Sequence, residues 1–318
     1  MGNLSSLDEL VLNNNPLSIL PASISNIKSL QILRLSKNNF TILPDSILKI
    51  ESLKILNYQN QLTTLPESIG NLKSLKSLHL GSNSLRILPE SIGNLENLQS
   101  LYLQNNQLTT LPKSIIQLSR LNILDLNNNQ LSTLPEPLTK LESLETLILY
   151  DNKLLTLLES IGNLKSLKYL HLGSNSLTTL PESIGNLKRL QSLFLQNNQL
   201  TTLPESIGNL SALTTLSLEN NQLTTLPESI GNLYSLKKIE LVNNKISILP
   251  EPITKLNGLR KLLLAKNYLT TLPKALTKMT SLILLYIESN PLDSKAKSIL
   301  KQLQKKGVDF TSFSTLYP

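Results

Sequence analysis

Few side chains in this 318-residue sequence could carry out chemistry. There is no Cys, and the two His residues, His79 and His171, stand in no motif known for nucleophilic catalysis. The sequence also lacks a G-x-x-x-x-G-K-[ST] phosphate-binding loop. Adjacent acids such as Asp8 and Glu9 are interpreted as solvated charges. We therefore predict that the protein is not an enzyme and holds no metal and no cofactor.

Aromatic residues could instead support binding. Only twelve Tyr and Phe are present, and four of them lie between residues 102 and 194. Interface centres combine such aromatic anchors with polar neighbours, although bulky residues scattered over a wide sheet would give the same pattern. The predicted partner-binding residues are Tyr102, Asp125, Ile148, Tyr150, Tyr169, His171 and Phe194.

Positive charge is concentrated near the C-terminus. Residues 237–306 contain 14 Lys or Arg and four acidic residues, whereas residues 1–236 contain 16 and 17. This imbalance could attract acidic proteins, sulfated polysaccharide or anionic lipid, or it could simply keep this end soluble. Nucleic acid is disfavoured because no motif that binds it is present. The candidate basic patch consists of Lys237, Lys238, Arg260, Lys261 and Lys266.

All these residues are positioned by an internal repeat. A Leu-x-x-Leu-x-Leu unit returns every 23 residues, with one step of 22, which gives twelve complete repeats and a partial thirteenth. The frame begins at Leu7, Leu30, Leu53, Leu75, Leu98, Leu121, Leu144, Leu167, Leu190, Leu213, Leu236, Leu259 and Leu282. His79 and His171 occupy one slot four repeats apart, about 19 Å at strand spacing, so they cannot share a metal.

Each repeat predicts a short strand, a turn and a helical turn. Leu193 and Leu195 are two residues apart and should point to the same side of a strand. Asn197 and Asn198 favour a turn. Pro204 suits a first helical position, and Gly208 should end that helix. Such a unit buries its apolar side only when neighbouring units stack.

Asn occupies the ninth position of the repeat in every unit but the third. An amide in an apolar turn must be hydrogen-bonded, so we predict an asparagine ladder rather than a glycan or ligand site. Its members are Asn15, Asn38, Asn83, Asn106, Asn129, Asn152, Asn175, Asn198, Asn221, Asn244, Asn267 and Asn290. The third repeat lacks one residue, and Tyr58 should take the inward Leu slot there.

The repeat resembles the 23-residue form of the leucine-rich repeat. Its "LPESIGNL" segment, at Leu65 to Leu72 and Leu226 to Leu233, is similar to the repeats of secreted or surface proteins of pathogenic spirochaetes and to those of intracellular scaffolds that bind small GTPases. The resemblance implies an α/β fold, a right-handed solenoid bent into an arc, with a parallel concave sheet and short helical or 3-10 turns on the convex side. It also implies non-enzymatic protein binding on the concave face.

Two segments of about two repeats each, which lie four repeats apart, are near copies of each other. Leu72 to Ile115 and Leu164 to Ile207 differ at only seven of 44 positions. The array therefore grew by block copying, and much of its regularity reflects descent.

The predicted organisation is a solenoid over residues 1–292 and a capping helix with a tail over residues 293–318. Asp293 or Ser294 could begin this helix, and Val308, Phe310 and Phe313 could cover the last strand. Its lysine-rich side would also suit a membrane surface. Met1 falls directly into the repeat frame and leaves the first strand without a cap. We expect either preceding residues or self-association there.

The favoured function is binding of a host or cell-surface protein. An intracellular signalling scaffold and a polyanion-binding adhesin that uses the basic patch are the alternatives. No signal peptide and no apolar run long enough to span a membrane appear in the sequence. A secreted or surface location is expected only if residues precede Met1.

Overall fold

The computed structural model describes residue 4 and residues 6–310, and in this part of the chain each repeat begins with one three-residue strand. Short strands at such even spacing follow from the two inward leucines of the repeat. The strands are β1 (Glu9–Val11), β2 (Ile32–Arg34), β3 (Ile55–Asn57), β4 (Ser77–His79), β5 (Ser100–Tyr102), β6 (Ile123–Asp125), β7 (Thr146–Ile148), β8 (Tyr169–His171), β9 (Ser192–Phe194), β10 (Thr215–Ser217), β11 (Lys238–Glu240), β12 (Lys261–Leu263) and β13 (Leu284–Tyr286).

The chain divides into two compact units, Met1–Lys153 and Leu154–Pro318. Strands β1 to β7 of the first unit pair in parallel and in chain order, and so do strands β8 to β13 of the second. The register repeats with the sequence, because Ser192 lies opposite Thr215, the equivalent residue of the next repeat. The predicted fold class is confirmed in its parallel strands and 3-10 turns.

Leucine fills the interior of both units. Leu193 and Leu195 are fully buried, while Phe194 between them is half-buried and points away from the core. The inward orientation predicted from the alternation is therefore confirmed.

After each described strand except β3 the backbone turns through one residue with positive φ. These residues are Asn14, Lys37, Ser82, Asn105, Asn128, Asp151, Ser174, Asn197, Asn220, Asn243, Lys266 and Ser289. Each repeat then closes with a short 3-10 helix. The helices span Ala22–Asn26, Ile47–Lys49, Glu67–Asn71, Glu90–Asn94, Lys113–Gln117, Glu136–Lys140, Glu159–Asn163, Glu182–Asn186, Glu205–Asn209, Glu228–Asn232, Glu251–Lys255 and Lys274–Lys278.

Two details of the 3-10 helix Glu205–Asn209 differ from what the sequence predicted. Pro204 has an extended ψ of 149° and precedes the helix, which begins at Glu205. Gly208 does not end the helix, which continues to Asn209. A Cβ at Gly208 would lie 2.4 Å from the Ser229 carbonyl oxygen, so the glycine is needed for the close approach of the next repeat.

The predicted asparagine ladder is present and joins neighbouring repeats. Asn198 Nδ2 donates to the carbonyl oxygens of Leu172 and Leu195, each at 3.0 Å. Its Oδ1 accepts from the Leu177 N–H at 2.9 Å. One amide thus satisfies three backbone groups that would otherwise be buried without partners.

The shortened third repeat keeps the ladder by other means. Tyr58 is fully buried in the predicted Leu slot, and its hydroxyl donates to the Ile42 carbonyl oxygen at 2.6 Å. Asn60, which the sequence analysis left out of the column, donates to the Leu35 carbonyl oxygen at 3.0 Å and accepts from the Asn38 N–H at 2.7 Å. Among the described residues, this turn has none with positive φ. The residue missing from the third repeat is therefore the one that adopts positive φ in the other turns.

The second unit ends in helix α1 (Ser294–Lys305). Asp293 accepts from the Ala296 N–H at 2.7 Å and so begins the helix. Ala296, Ile299 and Leu303 are buried, and α1 contacts the helical turn Lys274–Lys278. Gly307, with φ +82°, ends the helix. The predicted contributions of Met1 and Phe313 lie outside the described residues.

Candidate functional site

One side of the strands faces away from the leucine core. The first and third residues of each strand, and the residue two places further on, face this side, which we call the outer strand face. It is the surface that the sequence analysis predicted to bind a partner, and each unit has its own.

In the first unit, four predicted site residues lie on three consecutive strands. Tyr102 of β5 lies opposite Asp125 of β6, which lies opposite Ile148 of β7. Tyr150 follows Ile148 two residues later on the same side. Asp125 is only 8% exposed, because its Oδ1 accepts from the Asn127 N–H at 3.0 Å and from Asn127 Nδ2 at 2.7 Å. The register therefore brings Tyr102, Asp125 and Ile148 into one row, with Tyr150 in the adjacent row.

Tyr102 has a second neighbour, which sequence reasoning did not include in the site. The imidazole of His79 stacks on the Tyr102 ring, with centroids 4.4 Å apart and planes 17° apart. His79 Nε2 is hydrogen-bonded to Ser77 Oγ at 2.9 Å. Burial, and to a smaller extent the charge of Arg34, lowers the pKa of His79. The imidazole is therefore neutral at pH 7.

In the second unit, the predicted residues lie on two strands. His171 of β8 lies opposite Phe194 of β9, and their rings are 4.9 Å apart and tilted by 56°. Tyr169 is 45% exposed, and its hydroxyl donates to Gln191 Oε1 at 3.2 Å. The structure thus pairs His171 with Phe194 and places Tyr169 at the other end of β8.

A glycine and a glutamine lie beside each His–aromatic pair. A Cβ at Gly81 would be 2.5 Å from Gln104 Cδ, and a Cβ at Gly173 would be 2.7 Å from Gln196 Cδ. With any other residue at these positions, the glutamine side chain of the next strand would have to move away from this place over the backbone. In the second unit this glutamine donates from Nε2 to His171 Nε2 at 3.0 Å.

Several polar atoms of these outer strand faces are buried without a hydrogen-bond partner, and all of them are oxygens. They are Asn57 Oδ1, Gln104 Oε1, Gln196 Oε1 and Glu219 Oε2. Buried polar atoms normally have partners. The Asn and Gln oxygens can only accept, whereas the Glu219 carboxyl can also donate when it is protonated. These oxygens have almost no exposed surface, so they could accept from a bound molecule only after their side chains rotate.

Two glutamates of the second unit share a buried environment. Glu240 is 3% exposed, pairs with Lys238 Nζ at 2.6 Å and accepts from Ser217 Oγ at 2.5 Å. Burial, followed by the charge of Glu240, raises the pKa of Glu219 to about 7. These carboxylates sit one and two strands beyond Phe194. Their repeat positions vary along the chain, so the repeat pattern alone did not reveal them.

The predicted basic patch divides between two surfaces. Lys238 and Lys261 begin strands of the outer strand face and are half-buried, and Lys238 is engaged by Glu240. Lys237, Arg260 and Lys266 are exposed. The patch and its proposed polyanion remain predictions.

Beyond the last of these strands, the outer face is apolar. Leu263, Ala265, Leu284 and Tyr286 are at most 8% exposed and form a cluster with Val242. These side chains pack on one another, unlike the half-buried rows of the earlier strands.

Other kinds of site find no support in the described part of the chain. Residue 4 and residues 6–310 contain no group of three His, Cys, Asp or Glu arranged to hold a metal ion. Within the same residues, no helix is both long and apolar enough to cross a bilayer.

Comparison with known proteins agrees with the predicted resemblance. A family model described as a leucine-rich repeat region matches residues 1–86, 75–156, 149–244 and 207–306. No curated protein sequence matches.

Solved structures are also similar. A leucine-rich-repeat protein of Leptospira interrogans is 35% identical, with a TM-score of 0.71, over 98% of this chain and 91% of the other. An internalin of Listeria monocytogenes is 25% identical, with a TM-score of 0.84, over 98% and 88%. A plant peptide hormone receptor, RGFR1 in complex with RGF2, is 32% identical, with a TM-score of 0.79; the match covers 92% of this chain but only 49% of the receptor.

Proposed function

Because this chain belongs to the leucine-rich-repeat family, we propose that it is a non-enzymatic binding module that contacts a protein partner through its outer strand faces. Proteins with this fold generally act as interaction modules rather than as catalysts. The likeness to a receptor solved with its peptide hormone, RGFR1 with RGF2, supports binding of a protein or peptide.

The observation that carries the proposal is the row of Tyr102, Asp125 and Ile148 in register on consecutive strands. The leucine core does not require bulk at these positions, since the equivalent residue of β10, the third of that strand, is Ser217. Half-buried aromatic and aliphatic side chains with polar neighbours are the composition of interface centres.

We further propose a host or cell-surface protein as the partner. The likenesses to the Leptospira protein and the Listeria internalin support a bacterial surface setting. An intracellular scaffold would use the same outer strand faces, so the identity of the partner decides between the two.

The test compares matched variants of the intact chain. Proteins from host-cell surfaces are screened for binding, and the affinity of each purified candidate is then measured. Tyr102→Ser and Ile148→Arg should weaken binding about tenfold or more, as expected for residues at an interface centre. Ile87→Thr is the control, because Ile87 is 59% exposed in the turn, away from the strand, where other repeats carry Thr.

The thermal midpoint should be the same for the control and for Tyr102→Ser. A partner that binds all three variants with equal affinity would contradict the use of the first unit's outer strand face. The equivalent pair in the second unit is Phe194→Ser and Ile248→Thr.

The exposed basic residues favour a second candidate function, polyanion binding. Lys237, Arg260 and Lys266 are exposed in the second unit. Binding of heparin should then fall steeply with salt and should weaken when these three are replaced by Gln. Salt-independent binding would exclude this function.

A further inference from the structure

We infer that each unit carries one recognition site for a guanidinium group, an arginine side chain of the partner. The site of the first unit is built on His79 and Tyr102, and the site of the second on His171 and Phe194. This inference rests on the proposed protein-binding function and specifies the chemistry of the partner.

The aromatic ring is the base of each site. Tyr102 and Phe194 are half-buried, so part of each ring stays accessible. The stacked or tilted imidazole fixes each ring in place. A guanidinium is planar and weakly hydrated, and it binds favourably over such a ring.

A buried glutamine oxygen lies two residues beyond each aromatic residue. Asn57 Oδ1 and Gln104 Oε1 in the first unit, and Gln196 Oε1 in the second, are buried without a partner. These oxygens have almost no exposed surface, so a guanidinium, which has five N–H donors and no acceptor, would reach them only after the Asn and Gln side chains rotate. A carboxylate or phosphate would leave all these oxygens unsatisfied.

A carboxylate lies one strand further on in each unit. Asp125 is opposite Tyr102, and its two hydrogen bonds use only part of the capacity of a carboxylate. Glu219 is two residues beyond Ser217, which lies opposite Phe194. The Glu219 carbonyl oxygen accepts from the Asn197 N–H at 2.9 Å, which places it beside Gln196.

Local cations do not oppose this binding. Arg34, the charged neighbour of His79, pairs with Glu9 at 3.0 Å. Lys238, beside Glu219 in the second unit, pairs with Glu240 at 2.6 Å. The lowered pKa of His79 keeps its imidazole neutral. The first site therefore combines a neutral ring pair with the Asp125 carboxylate, and the second places its ring pair one strand from Glu219.

The two sites arose from one copied block, yet their rings differ. Tyr102 of the first corresponds to Phe194 of the second, and both keep an aromatic ring against the histidine. The phenol hydroxyl is therefore not required for the site, whereas the ring is.

The chain provides its own probe, because its two histidines lie one in each site. The full chain labelled with ¹³C at histidine Cε1 should give two signals, assigned with His79→Gln and His171→Gln. Blocked arginine, N-acetyl-arginine methylamide, is added at pH 8. Blocked citrulline, which has the same shape without the charge, is the matched control. We expect arginine to shift both signals saturably and citrulline to shift neither.

Variants separate the two sites. Tyr102→Leu should weaken arginine binding about tenfold at the His79 signal and leave the His171 signal unchanged. Phe194→Leu should do the reverse, and Phe194→Tyr should retain binding. Leucine preserves the bulk, and an unchanged thermal midpoint shows that each variant is folded.

Equal shifts with arginine and citrulline, a shift of only one histidine, or no shift at all would overturn the inference. A protein partner whose binding depends on Tyr102 but is not weakened by blocked arginine would leave the proposed function intact and exclude the guanidinium. If arginine does not bind and no protein partner depends on Tyr102, the proposed function is excluded as well.

Discussion

Asn198 and Leu172 belong to different repeats, and a hydrogen bond of 3.0 Å joins the side-chain amide of the first to the carbonyl oxygen of the second. The same amide also binds Leu195 and Leu177. Each step of the asparagine ladder therefore closes one repeat and attaches it to its predecessor.

We predict that Asn198→Ala destabilises the protein by at least about 2 kcal/mol, because it leaves buried backbone groups without partners, and each such group costs about 1–3 kcal/mol. Asn209→Ala is the control, since Asn209 is exposed at the end of a 3-10 helix. Urea unfolding of both variants measures the difference. Equal midpoints would show that water replaces the amide.

Leu195→Ala should cost about 2–5 kcal/mol, because Leu195 is fully buried and the truncation leaves a cavity. Gln199→Ala, at an exposed position of the same turn, should change the free energy of unfolding by less than about 0.5 kcal/mol. The comparison is made by denaturant melts at one temperature. Similar losses in the two variants would contradict the inward position of Leu195.

Glu219 should make stability depend on pH. Its pKa is raised from 4.5 to about 7 by burial and by Glu240, so the folded chain holds a proton that the unfolded chain releases across this range. The free energy of unfolding should therefore fall as the pH rises from 4.5 through 7. Lys238, the neighbouring cation, opposes the shift without cancelling it.

Replacing Glu219 by Gln should remove a fall on the order of 2 kcal/mol between pH 5 and pH 8. Glu228→Gln is the matched control, since Glu228 is exposed in a 3-10 helix. Unfolding at the two pH values provides the measurement. A Glu219→Gln variant with the slope of the original protein would place the titration elsewhere.

Lys266→Gly should stabilise the protein by about 0.5–1 kcal/mol. Lys266 has φ +56°, and this backbone conformation is less favourable for a residue with a Cβ atom than for glycine. Lys245→Gly should instead destabilise slightly, since Lys245 lies outside the positive-φ positions. Thermal midpoints of the two variants should therefore move in opposite directions.

The sequence predicted what depends on a single repeat. The inward Leu195, the turn at Asn197 and Asn198, and the exchange of Leu for Tyr58 all follow from spacing within one unit. The 3-10 helix was expected one residue too early, because Pro204 suits both its first position and the position before it.

Contacts between repeats were harder to predict. The hydrogen bonds of Asn60, the room that Gly208 leaves for Ser229, and the stacking of His79 on Tyr102 each join residues about 20 positions apart. Their geometry depends on register and side-chain rotation rather than on composition. The burial of Glu219 beside Glu240 has the same origin, so these two carboxylates were found only in the structure, whereas Asp125 was predicted from the sequence. The partner-binding role of Tyr102, Phe194 and their neighbours stays a prediction.

The bond from Asn198 to Leu172 also bears on how such a gene can change in length. The asparagine of one repeat needs only a carbonyl oxygen in the preceding repeat, and that slot looks much the same throughout each unit. Recombination that removes or adds 23 codons therefore restores every contact at the new junction, whereas the loss of one codon demands a compensating side chain such as Tyr58. Alleles of this protein should differ by whole repeats, so the number of outer strand rows can change while the fold is kept.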